Sequence, residues 1–149
     1  MDTKEKVKEQ GVAEPFVLYR QTKWIEVDRI WFEDELIRID FIAAPGLKYQ
    51  SGWWISIDRD TFIRPVGSRM KLKMVRAHNI TITPIATTFS SGVLIAHYSL
   101  FFPRPPKGTE MIDIIEKEFA GGNYFNFYGV AITEVLSHPV FVRIGDNTN

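Results

Sequence analysis

Three histidines, a close pair of aspartates and an excess of aromatic rings are the residues of this chain with most scope for chemistry. His78, His97 and His138 fall in a loop, a strand and the tail, without the short spacing of a local metal site. His97 lies in phase with Val93 and Ile95, which predicts a hydrogen-bonded core or edge histidine. Asp58 and Asp60, followed by Thr61, could hold a hard cation, because alternate carboxylates in a loop can converge on one ion. Further oxygen ligands are missing from the sequence there, so a solvated turn is the better reading. Ser90-Ser91-Gly92 is not a nucleophile elbow, and Gly121-Gly122-Asn123 lacks the following Lys-Ser or Lys-Thr of a phosphate loop. Lys71, Lys73 and Arg76 read as a solubilising basic strand face. A glycosidase pair cannot be picked from 18 acidic residues of unknown separation. No catalytic, cofactor-binding or metal-binding residue is assigned, and the chain is read as not an enzyme.

Four Trp, five Tyr and eleven Phe exceed what a small core needs. Trp53 and Trp54 are adjacent, so in a regular strand their rings point to opposite faces. One belongs to the core, and the other faces outward or lies under a loop. An outward ring can stack on a sugar or fill a partner's pocket. The candidate binding surface is therefore Trp24, Trp53 and Trp54 with the polar Asp58 and Asp60. Burial of the outward ring beneath the lead-in or the tail is the alternative.

These residues need elements to place them. A chain of 149 residues, 45% hydrophobic and 24% charged, is sized for one domain with a substantial core. Basic and acidic residues balance at 18 each, which removes any global field toward nucleic acid. Absence of cysteine excludes disulfides and thiolate chemistry. The longest apolar runs fall far short of the roughly 20 residues of a membrane span, and the first ten residues lack the apolar core of a secretory signal.

Residues 1–14 read as a flexible lead-in and 15–149 as a single domain, within which 134–149 forms an edge strand or docking arm. Alternation predicts a strand over Thr22 to Phe32, with Ile25, Val27 and Trp31 on one face, and a charged turn at Glu33 to Glu35. A partner strand then carries Ile37, Ile39 and Phe41 inward. Further strands are expected at Trp53 to Ile57, Phe62 to Arg64, Met70 to Met74, Ile80 to Thr83, Val93 to Phe102, Met111 to Ile115 and Tyr124 to Ile132. Ala77-His78-Asn79 reads as an interruption, and helix is confined to a turn around Ile114 to Phe119. About eight or nine short strands punctuated by Pro and Gly predict an all-β, immunoglobulin-like antiparallel β-sandwich.

The segment from Tyr98 through Pro103-Arg104-Pro105-Pro106 to Glu116, followed by Tyr124 to Ile132, resembles a pattern in extracytoplasmic proteins of Bacteroides and relatives. In that pattern an apolar strand meets a proline-rich corner, an Asp-x-x-Glu segment and an aromatic strand closing on Tyr-Gly-Ile. Its most specific parts are Pro103 to Glu116 and Asn126 to Gly129, within a similarity running from about Lys23 to Ile132. The domain of that family is similar to a β-sandwich that often precedes a thioredoxin-like reductase module of the TlpA type. No Cys-x-x-Cys occurs in this chain. The resemblance implies an exported, periplasmic or extracytoplasmic accessory or binding domain without cofactor, and a protein partner is the expected ligand. Val140-Phe141-Val142, beyond the last expected strand, could also pair with a sheet edge of a second copy. A carbohydrate-binding module using Trp54 or Trp24 is the first alternative, and an unrecognised hydrolase the second.

Overall fold

A computed structural model of the chain describes residues 11–46, 51–119 and 121–133. These form twelve strands: β1 (Gly11–Ala13), β2 (Val17–Arg20), β3 (Ile25–Phe32), β4 (Leu36–Ala43), β5 (Trp53–Ile55), β6 (Phe62–Pro65), β7 (Leu72–Lys73), β8 (Arg76–His78), β9 (Thr87–Phe89), β10 (Ala96–Pro103), β11 (Met111–Ile115) and β12 (Phe127–Ala131). No helix occurs among the described residues. One five-stranded sheet runs β1-β3-β4-β10-β8, a second runs β2-β12-β11-β6-β7, and β5 pairs with β9 alone. Every strand pairing is antiparallel.

The β3–β4 hairpin turns at Glu33, whose N–H donates to the Leu36 carbonyl at 2.9 Å. On β4 the period of two is unbroken: Ile37, Ile39 and Phe41 are buried, whereas Arg38 and Asp40 face outward. β10 turns Tyr98, Leu100 and Phe102 to the same core, while Phe101 between them is buried as well, with Arg76 over its ring. The core-facing side chains of β4 and β10 meet Ile63, Ile112, Ile114, Phe127 and Val130 of the second sheet in one core, the packing expected when two half-apolar sheets cover each other.

Several elements depart from the pattern read in the sequence. Val27 opposes Phe41 and Arg29 opposes Asp40, so Asp28 is an extra residue in β3. Such a bulge flips the alternation beyond it: Ile30 turns inward and Trp31 outward, the reverse of the unbroken pattern. Gly11 to Ala13, assigned to the lead-in, pair with Trp31 to Arg29 as an edge strand. His97 is exposed because the core-facing set of β10 begins at Tyr98 and runs through even positions. Val93 to Ile95 precede the strand, with Leu94 and Ile95 exposed.

The basic run also divides. The Met74 N–H bonds the Thr61 carbonyl of the second sheet's β6 side, and the next N–H, from Val75, bonds Phe101 of the first sheet. The chain thus changes sheets there, and Arg76 to His78 form edge strand β8 where an interruption was expected. Ile114 and Ile115 close β11, and bends follow in place of the helical turn. Ile80 to Thr83 form no strand and contribute a single bridge, Ile57 to Ile82. The strand count exceeds the expected eight or nine because very short pieces such as β1, β7, β8 and β9 carry little periodicity. Residues 1–10 of the lead-in, 134–149 of the proposed arm and His138 lie outside the described residues.

Candidate functional site

Residues just before β3, just after β11 and just before β12 come together with β5 of the β5–β9 ribbon. A cleft of about 540 Å³ opens there, walled by Trp24, Trp53, Trp54, Tyr124 and Phe125, with Glu116 also lining it. Trp53 is 7% exposed and Trp54 62%, as the opposite faces of a strand require. Trp53 is fixed on three sides. Its Nε1 donates to the Val93 carbonyl at 2.7 Å, its ring stacks on Phe89 at 4.3 Å, and Trp24 meets it edge-on at 6.1 Å. Trp24 also meets Phe125 edge-on at 5.9 Å. Edge-to-face pairing directs hydrogens of one ring at the π-face of the next, so these three rings form a rigid wall. Trp54 carries its ring at the rim, where the Ser56 and Thr83 hydroxyls share a 3.0 Å hydrogen bond.

The opposite wall is held by a buried polar knot. Asn126, 1% exposed, uses both ends of its amide. Its Oδ1 accepts from the Glu116 N–H at 2.7 Å and the Lys117 N–H at 3.2 Å. Its Nδ2 donates to Gln21 Oε1 at 2.8 Å and to the Lys117 carbonyl at 2.9 Å. Thr22 is fully buried, and its hydroxyl donates to the Tyr124 carbonyl at 2.9 Å. Glu116 completes the bracket, accepting from the Phe125 N–H at 2.8 Å and the Asp58 N–H at 3.0 Å. Burial pushes the Glu116 carboxyl above its ordinary pKa, and these two N–H donors offset only part of that rise. Beneath the wall Tyr98 stacks near Phe125 and on Phe41. Its hydroxyl is buried without a hydrogen-bond partner, and burial with the nearby Glu116 charge drives its pKa well up.

The structure therefore brings Trp24, Trp53 and Trp54 together and leaves Asp58 and Asp60 outside the cleft lining. Asp58 Oδ1 caps its own turn by accepting the Asp60 N–H at 2.8 Å. The remaining charges diverge, Asp58 to Lys117 at 3.5 Å and Asp60 to Lys73 at 3.2 Å. Two carboxylates neutralised by different lysines make a turn. Asp58 meets Glu116 through its backbone N–H, and its carboxylate pairs with the neighbouring Lys117.

Glu116, Asn126, Tyr124 and Phe125 were not singled out as site residues from the sequence. A carboxylate directly after Ile114 and Ile115 was the available signal, and it coincides with the Asp-x-x-Glu segment. The other acid of that segment, Asp113, is also buried and structural. Two residues of β12, Tyr128 and Gly129, stand opposite Asp113 of β11. Asp113 Oδ1 accepts the Gly129 N–H at 3.0 Å, while Oδ2 accepts from Arg64 Nε at 3.1 Å. Gly129 has φ +66°, and a Cβ on it would lie 2.8 Å from Leu18 Cβ. Glycine is thus required at that point of the Tyr-Gly pair. The motif is explained by fold geometry.

The fold and the cleft define an all-β, sandwich-like domain with an aromatic cleft. Comparison with protein-family models, with curated proteins and with solved structures found no match to the chain.

Proposed function

We propose that this domain is a non-catalytic binding module whose ligand site is the aromatic cleft, and that it serves as an accessory domain binding a protein partner in the bacterial envelope. The observation that carries this reading is the convergence of Trp24, Trp53 and Trp54 with Tyr124 and Phe125 on one concave site. Rings packed edge to face around an open cleft give a ligand large apolar contact without further ordering of side chains. Glu116, the acid within the cleft, commits each of its oxygens to a backbone N–H, which suits it to bracing the wall. The envelope location rests on the resemblance of Pro103 to Glu116 and Asn126 to Gly129 to extracytoplasmic accessory domains. Immunoglobulin-like topology belongs to the same reading.

A second reading, carbohydrate binding, is favoured by one observation: the Trp54 ring is 62% exposed beside the paired Ser56 and Thr83 hydroxyls. An exposed indole with flanking hydroxyls can stack on a sugar face and meet its rim. Thermal-shift screening of the protein and its Trp54→Ala variant against peptides and oligosaccharides tests both. The proposal expects peptide-induced shifts that the variant loses. Shifts confined to oligosaccharides favour the second reading, and identical profiles for the two proteins count against the cleft.

A further inference from the structure

We propose that the cleft recognises an organic cation, specifically a methylated or quaternary ammonium group carried by its ligand. This rests on the reading of the cleft as the ligand site and names the chemistry it selects. Among the described residues lining it, Glu116 is the only charged side chain. The rings of Trp24, Trp53, Trp54, Tyr124 and Phe125 make up much of the remaining lining, Trp54 being the most exposed. Aromatic faces carry the negative part of the ring quadrupole, so a cation enclosed by several of them is attracted from every side.

Glu116 reinforces that preference. An ionised carboxylate offers about four lone-pair sites, and two are used by the Phe125 and Asp58 N–H groups. Lys117, next to Glu116 in the chain, is paired with Asp58 at 3.5 Å and lies 5.8 Å from the Tyr124 ring centroid. Its charge is shared with another acid, so the cleft keeps a negative bias. An anionic ligand would face that bias with no cation among the described lining residues to receive it.

The kind of cation follows from the scarcity of polar groups. A primary ammonium brings three donors and a tight hydration shell, and it needs acceptors to replace the water it loses. Here the Ser56 and Thr83 hydroxyls share one hydrogen bond and keep lone pairs beyond it, so with Glu116 and Asn123 they give a primary ammonium few acceptors on a lining that is otherwise mainly aromatic. A methylated ammonium has an apolar outer shell that buries against rings while its charge still acts over short range. A cleft of about 540 Å³ accommodates such a head together with the group that bears it.

Calorimetric titration with choline chloride and, separately, with 3,3-dimethylbutan-1-ol tests the inference, because the alcohol replaces the charged nitrogen by carbon at nearly constant shape. Choline should bind saturably and about tenfold or more tighter than the alcohol. Glu116→Gln should lower the choline-to-alcohol affinity ratio by about tenfold, because any loosening of the wall is shared by both ligands whereas the lost charge acts on choline alone. If Glu116→Gln fails to fold, the choline-to-alcohol ratio for the unmodified protein decides alone. Equal affinity for the two would overturn the cation while leaving the cleft as an apolar ligand site. Binding of neither, with Trp54-dependent shifts from oligosaccharides alone, would assign the cleft to neutral sugars. Binding of neither and no Trp54-dependent shift from any probe would remove both the cation and the binding reading.

Discussion

Replacing Asn126 by Asp changes one nitrogen to oxygen in the knot that braces the cleft. The Oδ1 end keeps its bonds from the Glu116 and Lys117 N–H groups. At the other end, donors to Gln21 Oε1 at 2.8 Å and to the Lys117 carbonyl at 2.9 Å become an acceptor facing two acceptors. Two lost bonds at about 1 kcal/mol each, together with a buried uncompensated charge, put the cost at about 3–5 kcal/mol at neutral pH. That is a large share of the 5–15 kcal/mol typical of a whole domain. Burial and the facing acceptors raise the new carboxyl's pKa in the folded state above its unfolded value. The folded protein therefore binds more protons, and the variant's stability falls as pH rises from about 4 through that raised pKa. At acid pH the protonated carboxyl can donate one of the lost bonds, and the cost should drop to about 1–2 kcal/mol. Urea unfolding followed at acid and neutral pH measures both numbers. A cost below about 1 kcal/mol at neutral pH, or one that does not change with pH, would refute the role given to Asn126.

Gly129→Ala places a side chain at φ +66° and drives its Cβ to 2.8 Å from Leu18 Cβ; a loss of about 2–4 kcal/mol in urea unfolding is expected. Tyr98→Phe removes a buried hydroxyl that has no hydrogen-bond partner, so the melting temperature should hold or rise by an amount equivalent to about 1 kcal/mol. A clear fall would show that the hydroxyl is satisfied. Asp40 has a lowered pKa: burial acts to raise it, but hydrogen bonds from Arg38, Ser99 and Trp31 with the Arg38 charge outweigh that effect. With the folded pKa below the unfolded one, its contribution is present above about pH 4 and is lost as pH falls through the folded value. Asp40→Asn should flatten that acid limb of the stability profile, measured by urea unfolding across the acid range.

Where one face of a strand is buried and the other wet, the sequence made the pairing readable. Ile37, Ile39 and Phe41 alternate with Arg38 and Asp40, and the structure places them accordingly. The adjacent pair Trp53 and Trp54 divided between inside and outside for the same reason. Reading failed where one residue more or less resets the phase. The bulge at Asp28 has no signature in β3, yet it decides that Ile30 and not Trp31 enters the core. Sheet exchange between Met74 and Val75 is likewise silent, because alternation reports a face and not the sheet to which the face belongs. In the cleft, aromatic excess pointed to Trp24, Trp53 and Trp54. Glu116 and Asn126 escaped because their importance lies in contacts with Asp58 and Gln21, far away in the chain.

The four indole N–H signals of a ¹H–¹⁵N correlation spectrum offer the most direct test of the cleft as the ligand site. Trp24, Trp53 and Trp54 line the cleft, whereas Trp31 is held on the outer face of the first sheet by Asp40 at 3.0 Å. During separate titrations with choline, 3,3-dimethylbutan-1-ol and cellobiose, the account predicts that choline shifts the three cleft signals and leaves Trp31 in place. Four stationary signals under all three probes, or a Trp31 signal moving with the rest, would contradict it.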